Sequence, residues 1–298
     1  MNHKLLFHVD NIKNRKPVAL TVDCTGRCNL DCPFCFAKDR VKLDLDLEII
    51  KHVVNNMPSL KSIELGIAEP LLYKDFDAMM GFFNEKKLAV SLGTNGILLS
   101  EVPDRILKMI KFIFMGATHY IDNNNMASFD WLPVPFNIVI VYHKGSLKGD
   151  TISTSCTSWR TDFVDRVESF YELNKEARSF QVRLDMNASV STAALFDDLS
   201  FFTNKITKIN TPAKFKSYNG ICYYANLKPM LCCDGNIYPC CVETEGLDYS
   251  KRYKICRWDE VRDVYGKDVI VDCIHCSKVE SLQCMDNFLN DPDKEFII

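Results

Sequence analysis

The sequence predicts an α/β fold, a partial (β/α)6 TIM barrel followed by a small cysteine-rich domain built from a β-hairpin and a helix. From Val18 onward, short β-rich runs alternate about six times with longer runs of helical periodicity, a pattern typical of repeated βα units. After about Lys208, cysteines, aromatic pairs and turn residues dominate, and little helix is expected before 259–265. We therefore predict a barrel over 1–207 and a second domain over 208–298.

The first three βα units follow from apolar spacing. The β-rich runs at 18–22, 62–65 and 89–92 predict the first three strands. Apolar residues at helical spacing predict the two helices between them. The first helix covers 45–56, with Leu47, Ile50, Val53 and Val54 on one face and Pro58 beyond its end, and the second covers 76–86, with Met79, Met80 and Phe83.

The later units follow in the same way. A helix over 103–110 leads into a fourth strand near 112–115, and the β-branched run 136–142 is the fifth. A further helix precedes the sixth strand at 180–184 and is predicted from the stripe Phe163, Val164, Val167, Phe170 and Tyr171. The loops after barrel strands converge on one mouth, so functional residues are expected where strands end.

Composition limits the class of protein. The chain has 298 residues, 47% of them hydrophobic, and can bury a sizeable core. A net charge of −3 provides no basic field, so a nucleic-acid partner is disfavoured, although a local basic groove is not excluded. No apolar run reaches the roughly 18 to 20 residues that span a bilayer, so no membrane partner is expected. The N-terminus has no signal-peptide core, and we expect the fourteen cysteines to be reduced in a cytoplasmic protein.

Three cysteines after the first predicted strand form the most informative motif. Cys28, Cys32 and Cys35 have the spacing C-x3-C-x2-C. Three thiolates can hold three corners of a cubane iron–sulfur cluster and leave the fourth iron open to a small molecule. An open metal position is typical of reactive rather than structural sites. A zinc knuckle or a chance cysteine cluster is the alternative.

This triplet, with the aromatic Phe34 before its last cysteine, resembles the radical S-adenosylmethionine (SAM) superfamily. The resemblance implies a 4Fe-4S cluster on the three cysteines and SAM bound to the open iron through its amino and carboxylate groups. Reductive cleavage of SAM would then yield a 5′-deoxyadenosyl radical. A flavodoxin- or ferredoxin-type reductant is the partner expected to supply the electron.

Two strand-end motifs extend the resemblance. The run Gly66-Ile67-Ala68-Glu69-Pro70 is similar to the superfamily's Gly-Gly-Glu-Pro motif, which implies that Glu69 binds the SAM amino group, although Ile67 replaces the second glycine. Asn95 lies in a Thr-Asn-Gly run that the superfamily places near the SAM pocket. The expected cofactor-binding residues are Phe34, Gly66, Ala68, Glu69 and Asn95.

The end of the fourth predicted strand departs from the superfamily. Relatives often carry a serine and an aspartate there, whereas this chain has Thr118, His119 and Asp122 in the corresponding run. Ribose contacts are therefore not assigned, and His119 is interpreted as a surface or mouth residue. Tyr142 and Arg183, at the ends of the fifth and sixth strands, are the candidate catalytic residues. Arg183 could clamp a carboxylate or phosphate, or it could be an ordinary ion-pair partner.

The C-terminal cysteines resemble an auxiliary-cluster domain of the SPASM and Twitch type. Asp234-Gly235 predicts a hairpin, and the spacing Cys222-x12-Gly235-x4-Cys240 looks like the opening half of such domains. The short C-terminal cysteine run favours the Twitch variant with one auxiliary 4Fe-4S cluster. Its implied ligands are Cys222, Cys240, Cys273 and Cys276. Cys284 or Cys241 could replace one of them, and a zinc ribbon is the alternative for this half of the chain.

The substrate is not readable from the residues. Peptide-modifying members often carry a leader-recognition domain, and only about 17 residues precede the first predicted strand here. We therefore expect an oxidation or rearrangement of a small molecule. A peptide- or protein-modifying enzyme and a non-catalytic iron–sulfur or zinc protein are the alternatives.

Overall fold

The computed structural model describes residues 9–35, 41–142, 158–184, 208–210, 216–239 and 254–276. The helices are α1 Val9–Lys13, α2 Leu47–Asn55, α3 Phe76–Glu85, α4 Asp104–Leu107, α5 Thr118–Asp122, α6 Ser158–Glu172, α7 Tyr223–Leu227 and α8 Val261–Val264. The strands are β1 Ala19–Val22, β2 Ser62–Leu65, β3 Ala89–Thr94, β4 Ile110–Gly116, β5 Phe136–Tyr142, β6 Ser179–Leu184, β7 Lys208–Asn210, β8 Lys216–Ile221, β9 Met230–Leu231, β10 Asn236–Tyr238, β11 Cys256–Arg257 and β12 Ile270–Cys276. Short 3-10 helices cover Pro70–Leu72, Leu99–Glu101 and Trp258–Glu260.

Helices alternate with strands that pair mostly in parallel, which confirms the predicted α/β fold class. The chain forms two compact units. The first comprises Met1–Asn29, Phe36–Val90 and Lys214–Ile298, and the second comprises Leu30–Cys35 and Ser91–Ala213. The boundary expected between 207 and 208 falls directly before β7 and stays a prediction. In the part of the chain that the structure describes, no helix is long and apolar enough to cross a bilayer.

In the first unit, β1 lies between two parallel neighbours. Val22 pairs with Leu65 of β2 on one side and with Leu231 of β9 on the other. β9 and β10 form an antiparallel hairpin, and Gly235 in its turn has a φ of +78°, a conformation that favours glycine. The hairpin predicted at Asp234-Gly235 is therefore confirmed. Its first strand is added directly to the edge of β1.

The helix α2 shows why the first βα unit forms where it does. The Asp46 side chain caps it by accepting a hydrogen bond from the backbone N–H of Glu48 at 2.9 Å. Its buried face consists of Ile50, Val53 and Val54, three of the four residues that predicted the helix, and the fourth, Leu47, is half-buried. On α2, the His52 ring meets the Trp258 ring edge-on, with the centroids 5.1 Å apart. A C-terminal segment of the chain thus packs on the first βα unit.

In the second unit, β4, β5, β6 and β7 pair in parallel in that order. The buried Asn174 secures the chain after α6. Its amide nitrogen donates to the carbonyls of Ala127 and Phe170, both at 2.9 Å, and its oxygen accepts from the N–H of Phe129 at 2.7 Å. A buried amide with partners for both of its polar atoms contributes to a specific arrangement of these segments.

The fourth βα unit differs from its predicted bounds. The helix expected over 103–110 ends at Leu107, and Ile110 already belongs to β4. Ile110 and Ile113 are buried while Lys111 is exposed. This burial pattern suits a strand better than the last turn of a helix. The prediction was wrong here because an apolar run this short does not distinguish the two periods.

Candidate functional site

The cysteine loop follows directly from β1. The N–H of Asp23 donates to the carbonyl of Leu231 at 2.9 Å, which continues the β1–β9 pairing into the start of the loop. Cys28 is exposed, and Cys32 and Cys35 are half-buried. The N–H of Cys35 donates to the carbonyl of Cys32 at 3.0 Å, closing a tight turn between these two. Each of the three cysteines of the motif is thus at least partly accessible to solvent.

Cys24, four residues before the motif, contrasts with these thiols. It is only 1% exposed, and burial raises the pKa of its thiol well above the usual value. Because a thiol must lose its proton to bind a metal, the environment of Cys24 suits a structural role.

The motif cysteines fit a three-thiolate ligand set in their number, in their separation along the sequence and in their accessibility. Cys28 belongs to the first compact unit and Cys32 and Cys35 to the second. Within the described ranges, no three side chains from His, Cys, Asp and Glu are grouped closely enough to hold a metal ion. The fit therefore rests on donor chemistry and access.

The Glu69 turn follows β2. Glu69 is 1% exposed, and its carboxylate caps the 3-10 helix Pro70–Leu72 by accepting from the N–H of Leu71 at 3.2 Å. Ile67, where the superfamily has glycine, adopts a φ of +89°, which a β-branched residue rarely does. The half-buried Ile67 side chain packs against a cluster of Met230, Cys232 and Tyr238. The backbone shape typical of glycine is thus retained without glycine. Gly66 and Ala68 are half-buried on either side of Ile67.

Asn95 lies in a turn that its own side chain stabilises. Its Oδ1 accepts from the N–H of Ile97 at 3.0 Å, and Thr94 Oγ1 accepts from the N–H of Gly96 at 3.1 Å. Gly96 has a φ of +86°, and an added Cβ would come within 3.4 Å of Met115 and Phe129. The Thr-Asn-Gly run therefore needs its glycine both for conformation and for space. Phe34, in the cysteine loop, is half-buried.

His119, after the end of β4, has a polar atom that sequence reasoning did not anticipate. Its Nε2 is buried and has no hydrogen-bond partner among the described residues. Burial lowers the pKa of the imidazole to about 4, against smaller opposing effects of Asp122 and the Gly116 backbone. His119 is therefore neutral at physiological pH. His119 was expected to be a surface or mouth residue, whereas its Nε2 is buried.

Two charged residues of the first unit were also missed by sequence reasoning. Arg27 forms an ion pair with Asp44, with Nη2 and Oδ2 2.7 Å apart, and its backbone carbonyl accepts from the N–H of Glu69 at 3.0 Å. The only sequence signal is the position of Arg27 directly before Cys28. Asp44 carries no signal, because the pairing depends on how the chain returns after the loop.

The candidate catalytic residues lie on neighbouring strands. Arg183 of β6 is opposite Val141 of β5, and Tyr142 is opposite Leu184. Their side chains are outside the described part of the chain, so their roles stay predictions.

The predicted auxiliary ligands are only partly described. Cys240, Cys241 and Cys284 lie outside the described residues. Cys222 is buried at the start of α7, in an apolar cluster that includes Ile12 and Tyr223. The backbone positions of Cys273 and Cys276 are on β12, and their side chains are not described.

The ladder between β8 and β12 separates these backbone positions. The N–H of Cys222 donates to the carbonyl of Val269 at 2.8 Å, whereas Cys273 is opposite Tyr218 and Cys276 is opposite Lys216. At about 3.3 Å per residue, Cys222 is roughly 13 Å along the ladder from Cys273 and farther from Cys276. In this register the three cysteines do not meet at one point.

The sequence profile of the Radical SAM superfamily matches residues 22–123, a range that contains the cysteine loop, the Glu69 turn and Asn95. These 102 of the chain's 298 residues are thus similar to the radical SAM superfamily. The matched range ends before β5, so it does not test the auxiliary domain.

Curated relatives match this chain only in part. A tungsten-containing aldehyde ferredoxin oxidoreductase cofactor-modifying protein of Pyrococcus furiosus is 28% identical over 130 residues, which are 42% of this chain and 34% of that protein. An S-adenosylmethionine-dependent nucleotide dehydratase of Selenomonas ruminantium is 32% identical over 78 residues, or 25% of this chain and 28% of that protein. The chain thus spans about a third or less of the length of these relatives.

Solved structures support the fold. SuiB of Streptococcus suis bound to S-adenosylmethionine superposes with a TM-score of 0.55 at 14% sequence identity, covering 88% of this chain and 69% of SuiB. SuiB bound to its precursor peptide SuiA gives a TM-score of 0.55 at 16% identity, with 88% and 68% covered. At these identities the likeness concerns the fold alone.

Proposed function

We propose that this chain is a radical SAM enzyme that cleaves SAM reductively and abstracts a hydrogen atom from its substrate. The proposal is supported above all by the triplet Cys28, Cys32 and Cys35, which is at least partly accessible and lies after β1, within the range matched to the superfamily. When bound, a 4Fe-4S cluster supplies the electron that cleaves SAM to methionine and a 5′-deoxyadenosyl radical.

Glu69 is the residue proposed to hold the SAM amino group. Its carboxylate sits at a buried turn after β2, where a charged amine would be shielded from competing water. Asn95 and Phe34 are the further residues proposed to line the SAM site. The residues that contact the substrate stay unassigned, with Tyr142 and Arg183 as the proposed candidates.

The proposed substrate is a small molecule that undergoes oxidation or rearrangement, with a flavodoxin- or ferredoxin-type protein as reductant. Peptide modification is the second candidate. It is favoured by one observation, namely the common fold with SuiB, whose structure includes a bound precursor peptide.

We propose a second 4Fe-4S cluster in the C-terminal segment, with Cys222, Cys240, Cys273 and Cys276 as ligands. The β8–β12 register weighs against Cys222 sharing a cluster with Cys273 and Cys276. Iron analysis of a Cys222→Ala variant decides this point. Loss of about four irons would support Cys222 as a ligand, and an unchanged iron content would remove it from the set.

The experiment that tests the proposed function is anaerobic reconstitution with iron and sulfide. We expect about eight irons per chain and formation of 5′-deoxyadenosine once the protein is reduced in the presence of SAM. Replacing Cys28, Cys32 and Cys35 with alanine should abolish SAM cleavage and leave about four irons. Cys24→Ala is the matched control, because this neighbouring thiol is buried outside the motif. Zinc in place of iron, or intact SAM after reduction, would contradict the proposal.

A further inference from the structure

The start of the cysteine loop is bound to a second, distant segment. Thr25 and Asp44 form an antiparallel bridge. On either side of it, the N–H of Gly26 donates to the carbonyl of Leu43 at 2.8 Å, and the N–H of Leu45 donates to the carbonyl of Cys24 at 2.9 Å. The chain thus returns after the cysteine loop and pairs with its base.

Arg27 adds a side-chain connection to this pairing. Its Nε donates to Asp44 Oδ1 at 3.0 Å and its Nη2 to Asp44 Oδ2 at 2.7 Å. Thr25 Oγ1 also donates to Asp44 Oδ1, at 2.7 Å, and accepts from the N–H of Arg27 at 3.1 Å. The fork geometry fixes the guanidinium plane, which a single point charge would not do.

The same guanidinium reaches the Glu69 turn. Arg27 Nη2 also donates to the carbonyl of Leu72, the last residue of the 3-10 helix that Glu69 caps. The backbone of Arg27 meets the other end of this helix, since its carbonyl accepts from the N–H of Glu69 at 3.0 Å. Arg27 therefore contacts this one-turn helix at its N-cap residue through its backbone and at its last residue through its side chain.

Tyr73 reinforces this connection. It follows the 3-10 helix, is 3% exposed, and donates from its hydroxyl to the carbonyl of Leu45 at 2.8 Å. Burial raises the pKa of this phenol, so it keeps its donor proton throughout the ordinary pH range. The Glu69 turn is thus bound to the base of the cysteine loop through the backbone of Glu69 and through Leu72 and Tyr73 beyond it.

We infer that Arg27 is a positioning residue, which sets the place of the Glu69 carboxylate relative to the first motif cysteine, Cys28, through its bonds to Asp44, Leu72 and Glu69. The inference rests on the proposed function, in which Glu69 and the cysteine loop act on the same SAM molecule. Residues that orient a binding group commonly change affinity by about 10- to 100-fold when they are removed.

Stability and positioning make different predictions for Arg27. A purely structural role would lower the melting temperature when Arg27 is replaced and would leave the SAM affinity of the folded protein unchanged. A positioning role weakens SAM binding by the folded protein, whatever the change in melting temperature.

The test compares Arg27→Gln and Arg27→Lys in the full chain with a matched control, Lys51→Gln. Lys51 forms an ion pair with Glu48, with 2.7 Å between nitrogen and oxygen, and both residues belong to α2. After reconstitution, we expect Arg27→Gln to keep the wild-type iron content and to bind SAM about tenfold more weakly. Its reduced cluster should show a smaller change in EPR spectrum on SAM addition. Arg27→Lys should be intermediate, because lysine keeps the charge without the fork.

A second readout needs no cluster. Amide hydrogen exchange of residues 69–73 in the unreconstituted chain should be about tenfold faster in Arg27→Gln and unchanged in Lys51→Gln. Asp44→Asn, which weakens the same fork, should act in the same direction and replaces Arg27→Gln if that variant fails to fold.

Wild-type SAM affinity together with wild-type hydrogen exchange in Arg27→Gln would overturn the inference. The proposed function would be unaffected, because it is tested by SAM cleavage in the wild-type protein. If the wild-type protein neither binds nor cleaves SAM, the proposed function fails. Hydrogen exchange then decides separately whether Arg27 holds the Glu69 turn.

Discussion

Gly26, in the cysteine loop, lies directly against the backbone of Val41, so that a Cβ built on Gly26 would overlap the Val41 carbonyl oxygen. The close approach allows the hydrogen bond between Gly26 and Leu43 that pairs the base of the loop with the returning chain. A residue with no side chain is required here for space.

The first prediction concerns this contact. Gly26→Ala should destabilise the protein by about 2 kcal/mol or more, because a backbone carbonyl cannot turn aside as a flexible side chain can. The matched control is Gly81→Ala, since a Cβ on Gly81 of α3 meets nothing within 4 Å and alanine favours a helix by up to about 1 kcal/mol. Urea unfolding measures both. Equal stabilities of the two variants would contradict the close contact.

A second prediction concerns the positive φ of Ile67. Ile67→Gly relieves about 1 to 3 kcal/mol of backbone strain and loses the packing of the side chain against Met230 and Tyr238. Ile67→Ala loses the same packing and keeps much of the strain. We therefore expect the glycine variant to be at least as stable as the alanine variant in thermal unfolding, the reverse of the usual order. A clearly more stable alanine variant would show that the strain is small.

The third prediction concerns pH and His119. Because the pKa in the folded chain is about 4, below the ordinary value of 6.5, the unfolded chain binds more protons between these values. The stability that neutral His119 provides is complete above about pH 6.5 and is lost as pH falls toward 4. Partial exposure screens the charge, so we expect a contribution of about 1 to 2 kcal/mol.

His119→Asn tests this, since asparagine keeps a donor for the Gly116 carbonyl and does not titrate. Urea unfolding of both proteins at pH 7 and pH 4.5 gives the difference in stability. Relative to the wild type, the free energy of unfolding of the variant should be higher at pH 4.5 than at pH 7 by about 1 kcal/mol or more. A difference that does not change with pH would exclude His119 as the source.

The fourth prediction concerns the C-terminal cysteines. Cys273→Ala combined with Cys276→Ala should lower the iron content from about eight to about four per chain and leave SAM cleavage in place. Cys256→Ala is the control, because burial raises the pKa of the Cys256 thiol to about 12 and keeps it protonated, unsuited to metal binding. The iron content and the rate of SAM cleavage are measured for the double variant and for the control. An unchanged iron content in the double variant would show that Cys273 and Cys276 do not bind an auxiliary cluster.

Local pattern was enough to predict most of the βα units. The strands Ser62–Leu65 and Phe136–Tyr142 have the bounds that β-rich runs predict, and the buried face of α2 has the expected residues. These elements are encoded by short-range periodicity, which depends on neighbouring residues alone. The end of α4 was predicted wrongly, because the burial of Ile110 is determined by the strands beside it.

By itself, the sequence determined the α/β fold class, the cysteine motif and the Glu69 turn, since each depends on residue types within a short run of chain. Only the tertiary structure decided that Arg27 pairs with Asp44 and meets both ends of the helix after Glu69. It also decided that Ile67 takes a glycine-like φ and that β9 is added to β1. These features join residues that are far apart in the chain or depend on packing around one backbone angle, and neither kind of information is present in local spacing.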